Sequence, residues 1–261
     1  MVQKSMDVPT SYGYTLPSAL VDYRSSESKK RLIRCINEGS AVPYFHISSC
    51  FKHQSHPAYC GISTLVVVLN ALGIDPKKTW KNPWRWFTED VIERSMDPFE
   101  LDSAKKCGIT VNDFQRLAED NGASCSLIRA EDSEQGYEGF LEDLYKVCCG
   151  GKRSLHLDDA PENVDNSSHE LNEVMAISFH RESLNQHGDG HFSPVAAYDL
   201  TTNSVLVLDT ARFKYPPYWA PVDELYRSMI PKDAVTGMSR GYLVLGNPNK
   251  RIPYNNYGPF F

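Results

Sequence analysis

The sequence has no pair of cysteines at C-x-x-C spacing, no unbroken apolar run near the ~18 residues of a membrane-spanning helix, and no Lys/Arg cluster longer than a few residues. The first absence removes zinc-ribbon and thioredoxin-type motifs. The second removes a helical membrane span. The N-terminal stretch MVQKSMDVPTSYGYTLPSALVDY also lacks the apolar region and small-residue cleavage site of an export signal. The third, with a net charge of −6, leaves no general attraction for nucleic acid or anionic lipid, so neither nucleic acid nor membrane is expected as a partner. Internal repeats and low-complexity tracts are also missing.

What is present suits one sizeable core. A chain of 261 residues that is 41% hydrophobic falls within the range of a single domain, expected here over 1–261. Seven cysteines (Cys35, Cys50, Cys60, Cys107, Cys125, Cys148 and Cys149) are an odd number in a chain too long to need covalent staples. They fit a reducing compartment, and a cytoplasmic location is expected. Most read as small buried hydrophobes. Vicinal Cys148 and Cys149, at a helix end, have the softness for thiophilic metals, yet a packing role is the expectation.

Local signals divide the chain in two. Residues 1–20 mix Pro, Gly, Ser and Tyr without periodicity and read as an irregular arm. SSESKKRLIRCINEG predicts a helix capped by Ser25 or Ser26, with Leu32, Ile33 and Ile36 as its apolar stripe and Gly39 at its end. In CGISTLVVVLNALG, Ile62, Leu65, Val66, Leu69 and Leu72 recur at helical spacing before Gly73, which predicts a buried helix despite the β-branched run Val66 to Val68. VNDFQRLAEDNG and EGFLEDLYKVCCGG add two amphipathic helices, so the first half reads as mainly helical. The polar stretch 150–171 reads as a mobile loop, and 247–261 as a surface tail. Between them EVMAISFH, HFSPVAAYD, SVLVLDTA and RGYLVLG read as strands of an antiparallel sheet. Helices followed by strands make an α+β domain.

One cysteine stands where its chemistry would change. Cys60 opens the apolar helix, where unpaired backbone N–H groups and the helix dipole favour a thiolate. Pro57 fixes the approach of the chain, and Gly61 is expected to leave room for an incoming carbonyl. Gln54, six residues upstream, carries an amide that can join the Cys60 backbone N–H in stabilising an oxyanion. The general base is expected downstream, at His180 or His191. His191 is preferred because it follows the permissive turn GDG and begins a strand. Asp209 ends an apolar strand, where burial without a partner is costly, and so is the expected orienting acid. The order Cys, His, acid is that of papain-like enzymes. His53 and His56 stand with Cys60 as H-x-x-H-x-x-x-C, but the ligand set is incomplete and a metal on Cys60 would quench the nucleophile, so no metal site is expected.

QSHPAYCG, LNALGIDPKKTWKNPWRWF, GHFSPVAAYD and LDTARFKYPPYW together closely resemble the catalytic domain of phytochelatin synthases. The similarity runs from about Pro17 to Leu245 and includes Trp80, Trp84, Arg85 and Trp86. It implies a papain-like fold, with the nucleophile helix packed on a C-terminal antiparallel sheet, and transfer of γ-glutamylcysteine from glutathione to glutathione or a phytochelatin. The family's catalytic residues fall on Cys60, His191, Asp209 and Gln54. The resemblance also puts Asp233 and Arg240 at the γ-glutamyl end of the donor, and Arg181, Lys214, Tyr215 and Tyr59 at a second-substrate site. No built-in cofactor is implied, since cadmium or zinc would act as glutathione thiolates; a homodimer follows by analogy. The chain departs from plant members at His56, where they carry an acid, at the acidic loop 150–171, and in lacking a Cys-rich C-terminal region. Two other functions fit less well: a hydrolase of the same fold releasing glycine from glutathione or its S-conjugates, and a non-catalytic metal-thiolate binder.

Overall fold

The structure, a computed structural model, describes residues 11–150 and 171–249. Most of the expected loop 150–171 and of the tail 247–261 lies outside these residues, as do the first ten residues of the arm. The rest of the arm runs without regular structure into a short strand, β1 (Val21–Asp22), and Leu20 is buried.

Helix α1 (Ser26–Glu38) starts and stops where local chemistry dictates. The Ser25 hydroxyl accepts from the Ser28 N–H, and Gly39 closes the helix in the left-handed region at φ 72°. Its buried face differs from the expected stripe. Ser28 and Cys35 point inward, whereas Ile33 and Ile36 are 58% and 44% exposed. α2 (Val42–Cys50) has no weighty signal of its own beyond Pro43 in its first turn.

α3 (Cys60–Ala71) begins at the expected residue, and every one of its residues after Cys60 is buried. Burial on all sides explains why three consecutive valines are tolerated, because tertiary packing outweighs their modest helix propensity. α4 (Glu89–Glu93), α5 (Pro98–Cys107) and α6 (Val111–Asp120) follow, the last two opened by capping boxes from Asp97 and Thr110. β2 (Ser124–Arg129) interrupts this helical half before α7 (Glu134–Cys149).

β3 (Glu173–His180) and β4 (Gly190–Asp199) form a hairpin through a short 3-10 turn at Arg181–Leu184. β5 (Ser204–Val207), β6 (Tyr218–Pro221), α8 (Val222–Arg227) and β7 (Gly241–Gly246) complete the chain. The seven strands order β1-β6-β5-β4-β3-β7-β2, with every pair antiparallel. β2 is therefore an edge strand recruited by β7, which is why a reading of the helical half alone passes over it.

Both faces of the sheet are covered. Val174, Ala176 and Phe192 look toward α3, α4 and α6, while Met175, Ile177 and Phe179 look toward α7 and α8. Sequestering β3 and β4 on both faces accounts for their near-continuous apolar runs. The architecture is α+β, with α3 packed on β4, the arrangement expected of a papain-like domain. Cys35 and Cys148 are buried in the core, but Cys50, Cys60, Cys125 and Cys149 are only partly buried and Cys107 is exposed, so the expectation that most of the cysteines are buried does not hold.

Candidate active site

Cys60 is the first residue of α3, and Tyr59 before it provides no side-chain cap for the first-turn N–H groups. β4 brings His191 to that helix end. Burial alone would push the Cys60 thiol up; a hydrogen bond from His191, its charge, the Phe192 backbone N–H and the Arg181 guanidinium outweigh it and hold the thiol below its ordinary value of 9.0. The residue as a whole is only partly buried. His191 itself is 3% exposed, its ring edge-on to Phe179.

Asp209 follows β5 in the loop that returns toward α3. Its Oδ1 accepts from His191 Nε2 at 2.9 Å and from the Ala211 N–H at 2.8 Å. With Nε2 engaged there, Nδ1 is the imidazole nitrogen left for the thiol. Asp209 is fully buried and would by burial alone favour its neutral form. The charges of Arg181 and His191 and the hydrogen bonds from His191 and Ala211 hold the carboxyl well below the usual range. Arg181 donates from Nη2 to both carboxylate oxygens, at 3.0 and 2.9 Å, and from Nη1 to Gln186 Oε1. Cys60, His191, Asp209 and Arg181 thus form one connected row of charge.

Gln54 is anchored to the same loop: its N–H donates to Thr210 O at 3.0 Å, and Thr210 Oγ1 donates to its Oε1 at 3.3 Å. Both hydrogens of Nε2 are directed at carbonyls, those of His56 (2.9 Å) and Pro57 (2.8 Å). An oxyanion would have to compete with one of them. Gly61 has a different task from the one expected. A Cβ there would collide with the Ile109 side chain and press on Phe192, so the glycine permits α3 to pack closely on the segment before α6 and on β4 rather than clearing the cleft.

His180, the other candidate base, is the last residue of β3, opposite Gly190, with Nδ1 on Ser183 Oγ at 2.9 Å and Nε2 3.5 Å from Asp189. His56 Nδ1 accepts from the Ala58 N–H at 3.3 Å, and its ring packs on Tyr59. Asp233 Oδ1 accepts from the Val235 and Thr236 N–H groups and so shapes the turn before β7. Arg240, 2% exposed, lies against Gly190, next to the histidine. Of the four residues expected around a second substrate, three are engaged inside the domain. Arg181 is buried behind Asp209, Tyr215 is buried beneath the Arg181 guanidinium and accepts from the His187 N–H, and Tyr59 donates to Glu93 at 2.8 Å. Lys214 alone is half-exposed and has no ion pair with a described carboxylate; burial and the nearby Arg181 push its ammonium down.

Residues 11–242 match the family model described as phytochelatin synthase. The chain belongs to that family. It is 36% identical over 243 residues to glutathione gamma-glutamylcysteinyltransferase 3 of Lotus japonicus, covering 93% of this chain and 45% of that protein. Glutathione gamma-glutamylcysteinyltransferase 2 of Arabidopsis thaliana is 34% identical over 247 residues, 94% of this chain and 49% of that one. The Schizosaccharomyces pombe glutathione gamma-glutamylcysteinyltransferase is 35% identical over 236 residues, 90% and 50% respectively. The chain spans about half the length of these curated relatives.

Two further residues of this phytochelatin synthase domain escaped the sequence. Glu89, at the start of α4, accepts from the Ser55 N–H and hydroxyl, from the Ser63 hydroxyl and from Lys52, and thereby ties α4 to the segment around Gln54 and to α3. Asp189, between the glycines of GDG, accepts from Arg240 Nη2 at 2.7 Å. Each is matched to partners tens of residues away, and no local pattern announces such a pairing.

Proposed function

We propose that this chain transfers the γ-glutamylcysteinyl group of glutathione, through a Cys60 thioester, to the amino group of a second glutathione or a growing (γ-Glu-Cys)n-Gly peptide. The observation that carries the reading is a thiol at a helix N-terminus, held below its ordinary pKa by an Asp209-backed histidine, in a member of the phytochelatin synthase family.

The Cys60 thiolate attacks the carbonyl of the Cys–Gly peptide bond. His191 gives the proton to the departing glycine nitrogen as the C–N bond breaks. His191 then takes a proton from the acceptor's amine, which attacks the thioester and releases the thiolate. Asp209 keeps the imidazole aligned and stabilises its cationic form, while Arg181 holds Asp209 from behind. The Cys60 N–H, at the start of α3, is a ready oxyanion donor, and Gln54 joins it if one of its carbonyl contacts yields. At the donor's γ-glutamyl end, Arg240 suits the α-carboxylate and Asp233 the ammonium. Lys214 suits the acceptor's carboxylate, since its ammonium has no described counterion. Cadmium or zinc enters as the thiolate of glutathione, which makes metal part of the substrate. The products are metal-chelating peptides, in keeping with heavy-metal detoxification in the glutathione-rich cytoplasm.

The test is mass spectrometry of products after incubation with millimolar glutathione, with and without cadmium, beside Cys60→Ala. Peptides longer than glutathione that vanish in the variant support the transferase. Glycine and γ-Glu-Cys alone identify a hydrolase, and turnover that survives Cys60→Ala would overturn the mechanism.

A further inference from the structure

Arg240 is a buried guanidinium whose charge is satisfied in an unequal way. Both hydrogens of Nη1 go to backbone carbonyls, Pro231 O at 2.8 Å and Lys232 O at 3.1 Å. That fixes the side chain and leaves Nε and Nη2 as the one edge able to grip a carboxylate with two parallel hydrogen bonds. The edge lies along Gly190, next to His191, where an absent side chain gives it access. Part of it is already occupied. Asp189 accepts from Nη2 at 2.7 Å, yet the Asp189 side chain is 67% exposed while that of Arg240 is 3% exposed.

A pair made of a buried, doubly anchored cation and a solvent-exposed anion has one movable member. Withdrawing Arg240 would break two carbonyl bonds and leave a buried polar cluster unsatisfied. Asp189 can leave toward water, or toward His180 Nε2 at 3.5 Å, without stranding itself. Its backbone is held independently, because Asp189 O accepts from the Arg181 N–H at 2.8 Å. The carboxylate can therefore swing while the turn carrying His191 stays in place.

We propose that Asp189 sets donor affinity by occupying the carboxylate position on Arg240, so that a donor binds by exchanging its own α-carboxylate for that of Asp189. The inference rests on the proposed function, and within it Asp189 becomes a specificity-determining residue. A ligand with a free α-carboxylate recovers the ion pair on displacing Asp189. A ligand without one leaves the Asp189–Arg240 pair in place and takes no part in the exchange. The exchange lowers the affinity for a carboxylate-bearing donor by the strength of a partly exposed ion pair, a factor of about two to five.

Asp189→Asn keeps the size of the side chain and removes its charge. Binding is measured by calorimetry in the Cys60→Ala background, with glutathione and with 4-aminobutyryl-Cys-Gly, which lacks only the α-carboxylate. The expected result is a dissociation constant for glutathione about two- to fivefold lower with Asp189→Asn. The same substitution should leave the carboxylate-free analogue unchanged, so the preference between the two ligands distinguishes competition for Arg240 from a general change in the site. Equal tightening of both ligands would overturn the proposal, because it marks a general change in the site and not competition for the carboxylate position on Arg240. Weaker glutathione binding would overturn the proposal by making Asp189 a ligand of the donor's ammonium, and unchanged glutathione binding would overturn it outright. Turnover is followed in parallel with Cys60 intact. If wild type converts glutathione and Asp189→Asn binds it no more tightly, this inference fails while the function stands. If wild type shows no Cys60-dependent turnover, the function fails and takes the inference with it.

Discussion

Replacing Arg181 by methionine probes the centre of the site. The Arg181 and Asp209 side chains are 2% and 0% exposed and are joined by two N–H···O bonds, so Arg181→Met leaves a buried carboxylate with a smaller set of donors. Breaking a buried pair from one side costs about 3–5 kcal/mol. Because Asp209 keeps the His191 and Ala211 hydrogen bonds, the lower end, ~3 kcal/mol, is expected. In a domain of this size that corresponds to a fall in Tm of about 6–12 °C. Urea denaturation followed by tryptophan fluorescence measures it. Asp209 is held below its ordinary range in the folded state, so the stabilisation it supplies is complete above the unfolded carboxylate's pKa, about 3.9, and is lost as pH falls toward the folded value. The gap between wild type and Arg181→Met should thus be largest above pH ~4 and narrow in more acidic solution. Removing both charges, as in Arg181→Met with Asp209→Leu, should cost far less than the two single changes summed, since no buried charge is then left without its partner. A loss below ~1 kcal/mol at pH 7, the scale of an exposed pair, would refute the reasoning.

Cysteine alkylation should sort by environment. As pH is lowered below 9, Cys60 should go on reacting with iodoacetamide, because its folded pKa is depressed and the thiolate persists, while Cys125, which burial pushes up to about 12, should stay unmodified; peptide-level mass spectrometry reads both. Equal pH profiles at the two positions would count against an activated thiol. Glu89→Ala strands the buried Ser63 hydroxyl together with Ser55 and Lys52, and is expected to cost about 2–3 kcal/mol in urea denaturation and to lower kcat by loosening the segment before Cys60. A variant as stable and active as wild type would remove Glu89 from the site's support. Gly241→Ala drives a Cβ into the carbonyl oxygen of Ile128 on the adjoining strand β2, where backbone cannot give way; a loss of at least about 2 kcal/mol is expected, and an unchanged Tm would contradict the close approach.

The residues that were legible in the sequence stand at the ends of elements. Ser25 and Gly39 bound α1 through local capping, and Cys60 could be assigned to the start of α3 because a Gly-terminated apolar stretch follows it. His191 and Asp209 were readable for a related reason: each is a polar residue beside an otherwise apolar strand. Reading by hydrophobicity failed where burial is not apolar. Ile33 and Ile36 outweigh Ser28 and Cys35 on any such scale, yet the smaller pair faces the sheet, with the Ser28 hydroxyl accepting from Trp219 Nε1 at 2.9 Å. β2 was missed because its alternation, Ser124 to Leu127, is only four residues long, and it is held as a strand by its pairing with β7.

The charges behave as β2 does. Arg181 is followed by a polar run, Glu182 and Ser183, and as a sequence it belongs on a surface; 28 residues away Asp209 makes burying it tolerable. Glu89 likewise depends on Ser55, 34 residues upstream. A buried charge is admissible only if its partner is delivered by another element, so its location is decided by topology and not by neighbours in sequence. Cys60, His191 and Asp209, the proposed nucleophile, base and acid, each carry a local signature. The groups that hold them in register have none, and they become visible only when the β3–β4 hairpin, α4 and the turn before β7 are folded against one another.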